Sequence, residues 1–162
     1  MESLFLELKA ILEVQRETMQ QLLNTAREHN RAVRQLDMEL LNTALRREEE
    51  LVATLNRQDK ERQEMAAILS AAAGLPGDAT LGMLTGKAPP HLENDIKEIS
   101  VGLKDIAWQL GEINHQNGLL SKQAMRVNEM LLNALAPGRK KTYSPQGVAK
   151  ESIQVSLLDK KA

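Results

Sequence analysis

Glu112 and His115 form an E-x-x-H pair, the spacing by which helical bundles bring a carboxylate and an imidazole to a di-metal centre. That chemistry needs two such pairs and two further inward carboxylates. Here there is one pair, and it flanks the apolar position Ile113 without lying in line with it, so a solvated helix face is expected. The stretch GMLTGKA, residues 82–88, approaches a phosphate-binding loop but is one residue short, and Ala88 stands where a magnesium-holding Ser or Thr belongs. No strand pattern precedes it, and it reads as linker. His29 falls in an apolar seam, where a hydrogen-bonded or snorkelling imidazole is expected and a pH switch is the alternative. The mixed run Arg46, Arg47 and Glu48 to Glu50 reads as a solvated face with pairs four residues apart. No nucleophile, base and orienting group assemble from spacing. The sequence predicts no catalytic residue, no metal ligand and no cofactor.

The elements that must position any site are helices. Leu, Ala, Glu, Gln, Arg and Lys dominate, and aromatics are 2% of the chain: one Phe, one Trp and one Tyr. Good helix formers abound and strand formers are scarce. Lys and Arg number 21 against 22 Asp and Glu, which gives no electrostatic case for nucleic acid. There is no cysteine, hence no disulfide or thiolate metal site. The acidic, amphipathic start lacks the features of a signal peptide, and no apolar run approaches the roughly 20 residues of a membrane span. The expected setting is the cytoplasm, without membrane insertion.

From Glu2 to Ala73 there is neither Pro nor Gly. Leu8, Leu12, Met19, Leu22, Ala26, Val33, Leu36 and Leu40 recur at helical spacing, with Gln15 and His29 filling the gaps. Past Leu40 the stripe shifts by one residue, to Leu41, Leu45, Val52, Leu55, Ala66, Leu69 and Ala73. With Asp37 as N-cap, this predicts a hairpin of helices over about 2–35 and 37–73. One bent helix over the whole stretch is the alternative. Residues 74–90 hold four glycines and three prolines and predict a linker, with Leu81, Met83 and Leu84 available to pin it down. A third helix is predicted over about 91–136, its apolar stripe running from Leu92 to Ala134 with Asn117 as the polar member that fixes register. Gly102, Gly111 and Gly118 weaken that helix. The fold class is all-α: an antiparallel bundle of about three long helices forming a domain over 1–136, then a flexible basic tail over 137–162.

Two surfaces remain unassigned. Trp108 points away from the stripe and shares its face with Val101 and His115, so it is either covered by the linker or exposed to a partner. Near the end of the third helix, Leu119, Leu120, Met125, Val127, Met130, Leu131, Leu132 and Leu135 exceed what one narrow seam can bury. The excess buries further core, self-associates, or receives another protein's helix. In the tail, KKTYSPQG carries Tyr143, whose amphipathic ring suits either a partner's pocket or a return onto the bundle.

The stretch LDMELLNTALRREEELVATLNRQDKERQEM, residues 36–65, resembles the flagellar export chaperone family FlgN. Asp37 opens the second helix, a charged patch precedes Leu51, Leu51 and Leu55 form an L-x-x-x-L step, and Arg62 lies near the end. The Gly/Pro linker, the third long helix and the tail TYSPQG, with Tyr143, Pro145 and Gly147, follow the family's order. The resemblance implies a cytoplasmic helical chaperone without catalytic activity. It implies partners: the hook–filament junction proteins of the FlgK and FlgL type, and the cytoplasmic domain of the export gate protein. It places gate binding on Tyr143 and cargo binding on the region 119–135, where Leu120, Ala124, Val127, Met130, Leu131 and Leu135 are the candidates. The competing reading is a structural coiled-coil protein that acts through self-association.

Overall fold

A computed structural model of the chain describes residues 1–135, and the predicted tail with Tyr143 lies outside them. Four helices follow in order: α1 Glu2–Gln35, α2 Met38–Ala72, α3 Leu81–Thr85 and α4 Pro90–Leu135. The expected all-α bundle is present, and among the described residues there is no strand. The units are Met1–Ala124 and Met125–Ala162; in the second, the described residues are 125–135, the end of α4.

The turn between α1 and α2 makes the hairpin. Leu36 caps α1 in the left-handed region, at φ 57°, and Asp37 sends its N–H back to the Ala32 carbonyl at 3.0 Å. Asp37 then caps α2, its carboxylate accepting from the Leu40 N–H at 2.9 Å. Leu36 therefore leaves the seam in which the sequence placed it and is 80% exposed. At the far end of α2, Gly74 takes φ 66° and Leu75 donates to the Ser70 carbonyl, a Schellman closure that suits glycine.

The linker is more ordered than expected. Thr80 accepts from the Met83 N–H and starts the five-residue α3, which buries Leu84 while Met83 stays exposed. Pro90 opens α4 at the first helical position, where its missing N–H costs nothing. The helix passes unbroken through Gly102, Gly111 and Gly118.

Hydrogen bonds fix the helix directions within residues 1–124. Thr18 meets Gln58 and His29 meets Glu48, so α1 and α2 are antiparallel. Lys9 meets Asp95, Arg27 meets Gln109 and Asn30 meets Asn117, so α4 runs parallel to α1, as alternation requires. The hydrogen bond from Lys9 to Asp95, at 2.6 Å, is the main reason its ammonium pKa lies above the usual 10.5.

The core has two parts. In the first, Phe5, Leu8 and Leu12 of α1 meet Met65 and Leu69 of α2, Leu84 of α3, and Leu92, Ile96 and Ile99 of α4. Each such fully buried side chain stabilises the fold by roughly 1.5–3 kcal/mol. In the second, Leu23 and Ala26 of α1 meet Ile106 and Leu110 of α4, with Met19, Leu22 and Ile113 half-buried beside them. No α2 residue belongs to this second cluster.

Candidate functional site

The polar candidates resolve first. Glu112 and His115 are both exposed, and among the described residues no three His, Cys, Asp or Glu side chains come together as metal ligands. His29 is half-buried, with its Nδ1 3.2 Å from Glu48 Oε1 across the hairpin. Glu48 therefore departs from the expected solvated charge run, in which Arg47 and Glu50 pair three residues apart. Asn117 is buried and bonded to α1: its Nδ2 donates to the Ala26 carbonyl at 3.0 Å, and its Oδ1 accepts from Asn30 Nδ2 at 2.9 Å.

Burial along α4 stops at Asn117, although the apolar stripe read from the sequence continues to Ala134. Leu119 is exposed, Leu120 half-buried and Ala124 exposed. Within 125–135, Met125, Val127, Met130, Leu131, Leu132 and Leu135 are all exposed, Leu135 to 83%. Val127, Met130 and Leu131 recur at spacings of three and four, which places them on one helix face. The gate candidate, Tyr143, lies outside the described residues.

Trp108 is 68% exposed and Val101 66%, and the linker does not cover them. Beside that row lies a feature sequence reasoning missed. A cleft of about 530 Å³ opens between α1, α2, α3 and α4. Its apolar lining is Leu12, Met19, Leu81, Leu103 and Ala107; its polar lining includes Gln15, Asp59, Arg62, Ser100 and Lys104. Arg62 is held against Asp59 at 2.7 Å. The cleft lies where the two core clusters meet: Leu12, Leu81 and Leu103 of its lining belong to or pack against the first, and Met19 packs against the second. The only sequence signal was weak: half-buried Met19 and Leu22 continue the α1 stripe where α2 supplies the polar residues Gln58, Asp59 and Arg62.

The arrangement offers apolar helix surface and an open cleft, both suited to other helices. Four elements singled out in the sequence fall into place: Asp37 is the N-cap of α2, Leu51 is buried, Leu55 is half-buried, and Arg62 lines the cleft. The family model described as FlgN protein matches residues 1–151. No curated protein and no solved structure matches the chain.

Proposed function

Because this chain belongs to the FlgN family, whose members are flagellar export chaperones, we propose that it binds hook–filament junction proteins of the FlgK and FlgL type in the cytoplasm. It then hands them to the cytoplasmic domain of the export gate protein. FlgN is a chaperone family and not an enzyme family, which accords with a role in binding alone.

One observation carries the cargo half of this reading. Val127, Met130, Leu131 and Leu135 are each at least 54% exposed on the last turns of α4. Large apolar side chains grouped in water mark interaction surfaces. An amphipathic helix of the cargo laid on Leu120, Ala124, Val127, Met130, Leu131 and Leu135 would remove apolar area from water on both partners. Methionine adapts to varied partner surfaces, which suits a chaperone that receives more than one cargo. The bound cargo segment would be shielded from premature assembly.

The gate half rests on the family resemblance of the tail. Tyr143 offers a large contact area for little rotamer entropy, and Arg139, Lys140 and Lys141 would steer it toward an acidic surface. Residues 1–136 would then be the chaperone domain and 137–162 a tail that reaches the gate.

Mixing the full chain with the C-terminal helices of the two junction proteins tests the cargo half. A stoichiometric heterocomplex is expected; absence of any heterocomplex overturns the reading, whatever the chain's own oligomeric state. For the gate half, Tyr143→Ala is expected to leave helical circular dichroism and cargo binding intact while weakening gate binding. Equal loss of cargo binding would show that the two contacts are not separate.

A further inference from the structure

Trp108 and the cleft lie on the same flank of α4. Ala107, its neighbour in sequence, and Lys104, one turn earlier, both line the cleft, while the indole itself stands 68% exposed. An exposed tryptophan beside an open apolar cleft is a self-complementary pair of features on one molecule. We propose that a second copy of this chain docks here about a two-fold axis, each copy placing Trp108 in the other's cleft, against Met19, Leu81, Leu103 and Ala107.

Charge decides for a second copy and for its direction. Val101, Trp108 and His115 form a ridge at seven-residue spacing. Glu98, Asp105 and Glu112 recur with the same spacing on one side of it, and Lys97 and Lys104 on the other. Lys104 lines the cleft, so the basic row is the cleft flank. A two-fold axis parallel to α4 lays the acidic row of each copy over the basic flank of the other. It also shifts each Trp108 toward the partner's cleft, where Arg62 is already neutralised by Asp59 and Lys104 is the cation left to meet the acidic row. A two-fold axis perpendicular to α4 would set acid against acid. The contact is isologous, so it closes at a dimer.

The contact is small. A tryptophan buries roughly 150–250 Å², so two rings supply about 300–500 Å². Stable interfaces bury about 1,200–2,000 Å². The dimer is therefore weak and forms only at high concentration, leaving the monomer available to other partners. Lys104 of each copy lies within reach of the incoming indole face, where a cation adds to the attraction.

The sole tryptophan makes a clean reporter. The full chain is followed by sedimentation and by tryptophan emission from about 1 μM to about 1 mM, the range of weak association. Dimer is expected at the upper end, with emission shifting to the blue as the indole leaves water. Trp108→Ala and Lys104→Glu are each expected to weaken association about tenfold or more, without loss of helical circular dichroism. Lys104→Glu mixed with Asp105→Lys should associate more tightly than either variant alone, because both opposed pairs are then restored. A monomer at every concentration, or a dimer indifferent to both single variants, overturns the proposal. So does emission already blue-shifted at the lowest concentration, which would mean the chain's own tail covers the indole. A shift that appears only when junction-protein helices are added would assign the cleft to cargo and likewise overturn it. Because the chain is tested alone, failure here is distinct from failure to bind cargo.

Discussion

The side-chain amide of Asn117 on α4 donates to the backbone carbonyl of Ala26 on α1 at 3.0 Å. Its carbonyl accepts from Asn30 at 2.9 Å, and Asn30 in turn accepts from Arg34 Nε at 2.7 Å. Asn117 is only 4% exposed, so these bonds replace its water. They hold only at one axial offset between two parallel helices. A slip of one turn would leave the amide buried without partners, at a cost of about 1–3 kcal/mol.

Asn117→Ala is accordingly expected to lower the unfolding free energy by about 1–3 kcal/mol, through the lost bonds and the void left behind. Asn117→Leu should cost less than the alanine variant, because apolar packing offsets the lost bonds, but it no longer selects the register. Chemical denaturation measures both. An alanine variant as stable as the parent would mean that Asn117 does not hold α4 on α1.

Gln58 predicts a change of opposite sign. Its Nε2 donates to Thr18 Oγ1 at 3.0 Å, but its Oε1 is buried without a partner in the structure. Thr18 already donates its hydroxyl to the Val14 carbonyl, so it loses only an incoming bond when Gln58 is replaced. Gln58→Met keeps the length of the side chain and removes the orphaned oxygen. A gain of about 1 kcal/mol is expected in thermal or denaturant unfolding. A loss would show that the oxygen is solvated.

Leu36 sits at φ 57°, the single positive-φ residue other than glycine among the described residues. A side chain there costs on the order of 1–2 kcal/mol, and 80% exposure means that little packing repays it. Leu36→Gly relieves the strain but adds freedom to the unfolded chain, worth about 0.4–1 kcal/mol. The net expectation is a gain of roughly 0.5–1 kcal/mol with an unchanged fold. A destabilised variant would mean that Leu36 makes a contact in solution worth more than its strain.

How far the sequence reveals this molecule depends on the range of the force involved. Helix bounds are local, set by periodic apolar residues and by caps such as Asp37, and they fall within a residue or two of expectation. α3 is too short to show a period; its signals were Thr80 as a cap and Leu84 as a single buried anchor. The left-handed turn at Leu36 was hidden because nothing but glycine or asparagine advertises it. The surplus of apolar residues after Leu119 was legible, yet whether they are core or surface depends on where burial along α4 ends. The cleft was illegible, because its lining comes from α1, α2, α3 and α4 together, a relation among four helices that no single stripe encodes.

Val127→Asp combined with Leu131→Asp separates a docking surface from a core. Both residues are 54% exposed, so a carboxylate at either site keeps its water. The cost to folding should stay within about 1 kcal/mol, mostly the lower helix propensity of Asp. The same substitution at Leu110, buried between α1 and α4, should cost several times more, because the charge would be stranded in the second core cluster. Binding of junction-protein helices, by contrast, should fall at least about tenfold, since an incoming apolar face would bury two unpaired carboxylates. The double variant is to be compared with the parent by circular dichroism, unfolding and titration with cargo helices. If it unfolds, the two side chains belong to the core; if it binds cargo as the parent does, the docking face lies elsewhere on α4.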